Sequence, residues 1–458
     1  MAKTKTVILG AGKSGLAMVR YLAQEDHIIV LDSSKSLHSE QINELASLGV
    51  DYLTGSETEL TICNYDRLLL SPGIPMDTPL VQEAMNLGIP TYGEIEFAYQ
   101  ECYKRFPTSK IFAITGTNGK STTTHLLEAL IKGSGQHAVA CGNIGIPFTE
   151  ALDSARPDTF FCLEVSSYQL ESIQRFRADI ATILNITPDH LARHKTMENY
   201  RNMKLRIFSN QKEGDIRISP YNNSNLSIAD QQGVRNLYFS LAPIDVAGSY
   251  LDTHGNICLN LTGNHSETII HKDQILIPGQ HNIENILVAC LMAALAGVST
   301  DAIKKSLKVY KGLKHRLSFF AEYEGIRFIN DSKATNVDST VVALQALSGP
   351  IILLLGGTHK GSSYKTLIPH LKNRISHLLF LGEAIPYLEE DLGLFPYESI
   401  YSFKEAVERA LVIAEKGTTI LLSPACASFD QFHDFEARGE AFEQIITAWI
   451  NAQYPKLQ

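Results

Sequence analysis

"FAITGTNGKSTTTHLLEAL", residues 112–130, is the stretch whose reading decides the fold. It contains Gly119-Lys120-Ser121, the end of a phosphate-binding loop, but the loop is short. The common form sets four residues between the first glycine and Gly-Lys-Ser/Thr. Here only Thr117 and Asn118 separate Gly116 from Gly119. The flanks supply the missing context. "KIFAIT" (110–115) is an Ile- and Phe-rich alternating run that predicts a strand. Leu126, Leu127, Leu130 and Ile131 share one helical face. Strand, glycine turn and helix form the setting in which amides and the positive dipole end of a helix meet phosphate oxygens. Lys120 suits terminal phosphates and Ser121 suits Mg²⁺. A ligand-free strand-to-helix turn accounts for the glycines but gives the Lys-Ser pair no purpose.

A chain of 458 residues predicts three domains, at roughly 150 residues each. Its net charge is −9, with 40 basic and 49 acidic residues, which disfavours a general nucleic-acid binder. Small anions held by local loops remain compatible with that charge. The seven cysteines show neither paired metal spacing nor a disulfide framework. "MAKTKTVILGAG" runs straight into a strand, with no secretory apolar region before it, and no apolar run approaches a membrane span. These features predict a cytoplasmic protein without membrane insertion.

Outward from the loop, three α/β segments are legible. Residues 1–98 open with a strand (6–9), Gly10-x-Gly12-x-x-Gly15, a helix and a second strand ending at Asp32. Alone this reads as a dinucleotide fingerprint with its ribose acid, or as an α/β turn with no ligand. "DRLLLSPGIP" (66–75) adds a third strand. Residues 99–311 carry the phosphate loop, strands in 158–167 and 180–187, then short strands with Asn/Gly turns after 213 and a helix over 281–297. That pattern predicts a parallel sheet with a small antiparallel insertion. Residues 312–458 show apolar strands at 351–357, 377–382 and 418–424 with helical stretches between them.

Several polar residues stand where a fold alone does not require them. Glu164 lies inside "FFCLEVSS", at the end of an apolar strand, where an unpaired carboxylate is unfavourable. His190 follows the next apolar strand in "NITPDH". Lys204 falls on the same helical face as Met197, Tyr200, Ile207 and Phe208. It reads either as a lysine with its head in water or as a site lysine of lowered pKa, and spacing leaves both open. Arg316 and Lys333 suit phosphates or carboxylates. Asp331-Ser332-Lys333-Ala334-Thr335 follows the strand "IRFIN" directly.

The short loop "TGTNGKST" resembles that of the Mur ligases and folylpolyglutamate synthetases. "GNIG" (142–145), "EVSSYQL", "NITPDHL", "GQHNIEN", "HR" and "NDSKATN" continue the resemblance in order, to about residue 440. "SPACASFDQF" (423–432) resembles the branch that adds D-glutamate to UDP-N-acetylmuramoyl-L-alanine. The resemblance implies an α/β protein of three domains: a Rossmann-like N-terminal domain that binds the UDP substrate, a central P-loop-type ATPase domain, and a C-terminal Rossmann-like domain for the amino acid. It also implies ATP and two Mg²⁺ ions, amide formation through an acyl phosphate, and a monomer.

The resemblance also assigns residues. Gly116, Thr117, Asn118, Gly119, Lys120, Ser121 and Thr122 cradle ATP, with Asn285 at adenine and Arg316 and Asp331 from the third domain. Ser121, Glu164, His190 and an N-carboxylated Lys204 surround metal. Ser14, Gly15, Leu16, Asp32 and Ser33 receive uridine, while Ser71, Pro72, Gly73 and Asn143 lie nearer the sugar and diphosphate. Lys333, Thr335, Lys360, Ser428 and Phe435 surround D-glutamate, and Lys120, His190, Lys204 and Lys333 take the catalytic roles. His359 and Ala192 depart from the common pattern. Rival readings are another amino-acid ligase of the same family, an NAD-dependent oxidoreductase, or a non-catalytic nucleotide-binding module. The oxidoreductase leaves the phosphate loop and Lys204 unexplained. A shift of melting temperature by UDP or by NADH separates it from the ligases, and nucleotide binding without turnover would mark the module.

Overall fold

The computed structural model describes residues 3–55, 60–222, 231–277 and 279–453. It is an α/β protein built on three sheets, the fold class the sequence predicts. In the first sheet, β1 (Thr4–Leu9), β2 (Asp26–Asp32), β3 (Asp51–Thr54), β4 (Arg67–Leu70) and β5 (Thr91–Gly93) stand in the order β3-β2-β1-β4-β5. All pairs are parallel. Val7, Ile8 and Leu9 are fully buried, as the continuous apolar run of a doubly covered parallel strand requires. The Gly10 turn therefore emerges at the switch point between β1 and β4, where open α/β sheets take ligands. The strand predicted within 66–75 ends at Leu70 and is fourth in the chain. β3, unpredicted, is a mostly exposed edge strand without an apolar run.

The second sheet contains β6 (Lys110–Thr115), β7 (Ala138–Gly142), β8 (Phe160–Glu164), β9 (Ile180–Ile183), β10 (Ile216–Pro220), β11 (Arg235–Ser240), β12 (Gly248–Leu251), β13 (Asn256–Asn260) and β14 (Glu267–His271). Their order is β14-β13-β12-β11-β10-β9-β6-β8-β7. The late short strands do not form a separate insertion. β10 joins β9 in parallel, β11 and β12 continue in parallel, and only β12-β13-β14 turn antiparallel at one edge. Asp252 makes the first turn of that meander, its Oδ1 accepting from the amides of His254 and Asn256.

The third sheet runs β15-β16-β20-β17-β18-β19, with β15 (Ser318–Tyr323), β16 (Ile326–Asn330), β17 (Ile351–Gly356), β18 (Ile375–Leu381), β19 (Tyr397–Ser399) and β20 (Thr419–Leu422). Only β15 and β16 pair antiparallel.

Two compact units result, one of Met1–Ile275 with His281–Tyr310 and one of Leu276–Gln280 with Lys311–Gln458. The first two sheets share a unit because the helix Glu94–Arg105 belongs to both cores. Phe97 packs into the first core, while Ile95, Ala98 and Cys102 pack into the second. Two buried carboxylates fix this helix. Glu96 accepts from the amides of Gln174, Arg175 and Phe176 at 2.7–3.0 Å. Glu94 Oε1 accepts from the amide and hydroxyl of Thr149 at 2.7 and 2.8 Å, and burial pushes its pKa up to about 7. No helix among the described residues is long and apolar enough to cross a membrane.

Candidate active site

β6 delivers the chain to Gly116, and the helix Lys120–Gly133 begins at once after Gly119. Gly119 is left-handed (φ +84°), and a Cβ there would stand 2.2 Å from Asn285 Oδ1. No other residue fits this turn without strain. The compressed loop is clamped by the segment that follows β9. Thr117 N donates to Asn185 O (3.0 Å) and Asn118 N to Asn185 Oδ1 (2.8 Å). Asn185 Nδ2 donates back to Asn118 O at 3.2 Å, and Thr187 N donates to Thr117 Oγ1 at 3.0 Å. "NIT" (185–187) is thus the second half of the phosphate loop, brought in by the β6–β9 pairing. Ser121 and Thr122 are buried in the first helical turn.

Two lysines converge on one carbonyl. Lys120 Nζ donates to Gly116 O (2.9 Å) and Thr117 O (2.8 Å), and Lys204 Nζ donates to the same Gly116 O at 2.8 Å. Lys204 is 1% exposed, so the reading with its head in water fails. Burial first, then the neighbouring charge of Lys120, bring its pKa down to about 7, against the opposing pull of Asp189 and Glu164. Its ammonium lies 4.7 Å from the centroid of Tyr200, whose hydroxyl contacts Thr117 Oγ1 at 3.2 Å. The predicted helical face carries Tyr200, Lys204, Ile207 and Phe208 inward, but Met197 is 36% exposed at its first turn.

Glu164, at the end of β8, is 2% exposed. Its Oε1 accepts from Asn143 Nδ2 at 2.9 Å, whereas the buried Oε2 has no hydrogen-bond partner among the described residues. His190 has a left-handed backbone (φ +53°) and an exposed ring whose Nδ1 lies 3.0 Å from the Tyr168 hydroxyl. Among the described residues, no three His, Cys, Asp or Glu side chains gather as a metal set. The unpartnered Oε2 of Glu164 and the low-pKa amine of Lys204 nonetheless fit a divalent cation. One is a buried anionic oxygen, and the other is an amine that can become an anionic oxygen ligand. The side chain of Ala192 lies outside those described.

Asn285 is 3% exposed. Its Oδ1 accepts from Thr123 Oγ1 at 3.3 Å, and its Nδ2 donates to Asn282 Oδ1 at 3.2 Å. It lies against the loop, where it buttresses Gly119. In the first sheet, Asp32 accepts from the amides of Ala11 (2.8 Å) and Ser34 (2.9 Å). Burial works against its ionisation, but these bonds outweigh it and hold its pKa below the usual carboxylate range. Ser71 Oγ donates to Gly10 O at 2.9 Å, joining the two turns at the switch point. Gly15 packs so closely that a Cβ would stand 1.9 Å from Gly10 O. Leu16 is buried, Ser14 and Pro72 half-buried, and Ser33, Gly73 and Asn143 exposed.

In the second unit, Asp331 is buried, accepting from Leu317 N (3.0 Å) and Ser423 Oγ (2.8 Å). Burial pushes its pKa up to about 7, against those bonds and the charge of Arg316. Arg316 itself is half-buried. Lys333 Nζ lies 5.4 Å from the Phe435 ring centroid, which brings together two residues predicted for one amino acid. Thr335 N donates to Lys333 O (2.8 Å), Ser428 is 2% exposed, and Lys360 is exposed.

Sequence reasoning missed Arg438. It is 1% exposed and donates to Ser332 Oγ and O, Cys426 O and Ala427 O at 2.9–3.2 Å. It therefore joins "DSKAT", "ACAS" and the helix Phe435–Gln453. Gly439 beside it, where a helix interior disfavours glycine, was the available signal; a Cβ there would stand 2.2 Å from His315 Nδ1. Tyr200 was read only as an apolar face, and its phenol was the overlooked part.

A phosphate loop clamped across a parallel sheet, with a buried lysine of lowered pKa beside it, defines a nucleotide-dependent enzyme of the phosphoryl-transfer class. Residues 4–93 match the family described as "Mur ligase MurD-like, N-terminal domain", 114–293 "Mur ligase middle domain" and 315–426 "Mur ligase, glutamate ligase domain". The chain belongs to the Mur ligase family. It is 40% identical over 453 residues to the UDP-N-acetylmuramoylalanine--D-glutamate ligase of Alkaliphilus metalliredigens, covering 97% of this chain and 98% of that one. The protein of the same name from Thermoanaerobacter sp. (strain X514) is 38% identical over 450 residues, covering 96% and 98%. Among solved structures, MurF from Acinetobacter baumannii shares the fold with a TM-score of 0.61 at 16% identity, covering 96% of this chain and 93% of that one. MurC from Thermotoga maritima does so with a TM-score of 0.59 at 15% identity, covering 98% and 100%.

Proposed function

We propose that this chain is an ATP-dependent ligase joining D-glutamate to UDP-N-acetylmuramoyl-L-alanine in peptidoglycan precursor synthesis. One observation carries the chemistry: Lys120 and Lys204 meet at the Gly116 carbonyl beneath a loop built for phosphate. The choice of substrates is supported by relatives of that name over nearly the whole chain. Residues 1–98 bind the UDP substrate, 99–311 bind ATP and 312–458 bind the amino acid. The protein works as a monomer in the cytoplasm.

An oxygen of the alanyl carboxylate attacks the γ-phosphorus of ATP, the bond to ADP breaks, and an acyl phosphate forms. The D-glutamate amine then attacks the acyl carbon, the C–O bond to phosphate breaks, and the amine loses a proton. Two anions must approach in the first step, so positive charge has to be fixed in advance. Lys120 supplies it at the terminal phosphates. The first-turn amides of the helix Lys120–Gly133 supply more at the other phosphate oxygens, and Arg316 is assigned to the nucleotide by the family resemblance. Asn285 meets adenine while keeping Gly119 in its turn, and Asp331 binds the nucleotide. Lys333, Thr335, Lys360, Ser428 and Phe435 receive D-glutamate, the two lysines matching its two carboxylates. Ser14, Gly15, Leu16, Asp32 and Ser33 receive uridine, and Ser71, Pro72, Gly73 and Asn143 receive the sugar diphosphate.

Lys204 is neutral for part of the time near pH 7, and a neutral amine adds CO₂: an N–C bond forms, one proton leaves, and a carbamate results. Ser121, Glu164, His190 and that carbamate would hold Mg²⁺, with two ions in all, supplying charge stabilisation at the phosphate oxygens.

Phosphate release with ATP, UDP-N-acetylmuramoyl-L-alanine and each of D-glutamate, L-glutamate, L-lysine and meso-diaminopimelate tests the reading. D-glutamate should be used and L-glutamate rejected, because each buried donor left unpaired by the wrong enantiomer costs about 1–3 kcal/mol. Equal rates with L-lysine or diaminopimelate would overturn it.

A further inference from the structure

The second unit contains a chain of polar contacts that the ligation chemistry leaves unused. His359 stacks on Tyr387, centroids 4.0 Å apart and 9° between planes. Its Nδ1 lies 2.9 Å from the Tyr364 hydroxyl, and that hydroxyl lies 2.9 Å from Cys426 Sγ. Tyr364 and Cys426 are each 1% exposed. Burial pushes the Cys426 thiol up to about 11, so it stays protonated. An imidazole nitrogen is a far better acceptor than a thiol sulfur. The order that uses the better acceptor has Cys426 S–H donating to the Tyr364 oxygen and the Tyr364 O–H donating to His359 Nδ1.

The chain spans two loops that nearby contacts already hold together. Thr358 N donates to Ala427 O at 2.9 Å, and Arg438 holds the carbonyls of Cys426 and Ala427. Tyr364 is anchored independently, its amide donating to Asp391 Oδ2 at 2.7 Å. Lys360 follows His359 directly, and Ser428 stands two residues beyond Cys426. The backbone contacts fix where the loops meet.

We infer that His359 is a positioning residue which, through Tyr364 and Cys426, sets the spacing of the loops bearing Lys360 and Ser428 and thereby the affinity for the amino-acid substrate. The inference rests on the reading of those two residues as D-glutamate ligands. It implies that the relay acts on the amino acid, because its two ends adjoin Lys360 and Ser428 in the chain.

The test is steady-state kinetics of the full chain, varying each substrate in turn, for Tyr364→Phe, His359→Ala and His359→Asn. Asparagine places an acceptor oxygen where Nδ1 stood and is the conservative rescue. Tyr364→Phe and His359→Ala should raise the KM for D-glutamate about tenfold, as expected for one buried hydrogen bond, while kcat and the KM values for ATP and the UDP substrate stay within about twofold. His359→Asn should stay close to the parent. The half-buried position of His359 lets its two variants test the relay even if Tyr364→Phe unfolds. An unchanged KM for D-glutamate in His359→Ala overturns the inference, as does a rise shared equally by ATP, or a His359→Asn protein as impaired as His359→Ala. If the parent itself shows no phosphate release that depends on D-glutamate, the proposed function fails first, and the variants cannot be mistaken for the cause.

Discussion

Lys204 and Arg438 are both cations at 1% exposure, and the molecule treats them in opposite ways. Arg438 spreads its fork over four hydrogen bonds to Ser332, Cys426 and Ala427. Burial lowers its pKa only to about 10, so it remains charged at neutral pH. Among the described residues, Lys204 has one hydrogen bond, to a carbonyl it shares with a second cation, and its pKa falls to about 7. A buried charge that is hydrogen-bonded at each of its nitrogens is a fastener. One that is under-bonded and faces a like charge is chemically poised. The contrast between a pre-organised guanidinium fork and a compact amine explains which residue type stands at each place.

The largest expected effect breaks the comparison on the Lys204 side. Lys204→Ala should lower kcat by about 10²–10³, since the anionic oxygen ligand that would hold Mg²⁺ beside the transferring phosphoryl group is removed. Formate or acetate should restore part of the activity by filling the vacated space with an anionic oxygen. Near-normal phosphate release from Lys204→Ala would show that its burial has no chemical purpose. Lys120→Ala should be at least as severe, with the melting temperature retained.

On the other side, Arg438→Met should leave kcat to be judged only after stability, because it strips acceptors of their donor. A loss of about 3 kcal/mol is expected from the stranded carbonyls, read as a lowered calorimetric transition of the second unit. Arg438→Lys should not recover it, because one ammonium cannot match the fork. A loss below about 1 kcal/mol would mean that the fastener reading is wrong.

Replacing Lys204 by methionine sharpens the contrast. The folded chain holds the Lys204 proton up to about pH 7, the unfolded chain up to its ordinary 10.5. Between these values the unfolded chain binds more protons, so stability rises with pH through that window, and the burden of the buried ammonium is complete below it. Lys204→Met should therefore be more stable than the parent by about 1–3 kcal/mol at pH 6, with the difference shrinking toward pH 10. Urea unfolding at several pH values checks the sign. The smallest effect concerns the amine itself. From pH 6 to pH 8 its neutral fraction rises about tenfold, so activity limited by carbamate should rise with pH across about 7 and with added bicarbonate. Indifference to CO₂ removal would exclude the carbamate.

The phosphate loop was legible because its chemistry is local: strand period, two glycines, Lys-Ser and a helical face all lie within 110–131. Lys204 was legible as an anomaly, a cation on an apolar face, though only the fold shows that its head reaches Gly116. The clamp by Asn185 and the buttress by Asn285 were not legible, since each depends on a contact across more than 60 residues. β3 was missed because an exposed edge strand carries no apolar run. Arg438 sits in a helix that also carries Glu436, Glu440 and Glu443, so a buried guanidinium there gives no periodic signal. The antiparallel strands after 213 were recognised as strands, but their membership in the central sheet follows from the pairing of β9 with β10, which no local pattern encodes.

The helix Glu94–Arg105 also governs how the molecule can be taken apart. A fragment that began at Lys110 would keep the entire phosphate loop yet lose Glu96, stranding the amides of Gln174, Arg175 and Phe176 and uncovering the surface beneath Ile95, Ala98 and Cys102. A fragment that ended at Gly93 would lose Phe97 from its own core. The boundary between the first two sheets is therefore a poor place for recombination between relatives. A chimaera that exchanged the first sheet at this point would need to carry the helix together with Thr149 and Gln174–Phe176. The segment in which the sequence places a domain boundary is the one along which inheritance of the two sheets is joined.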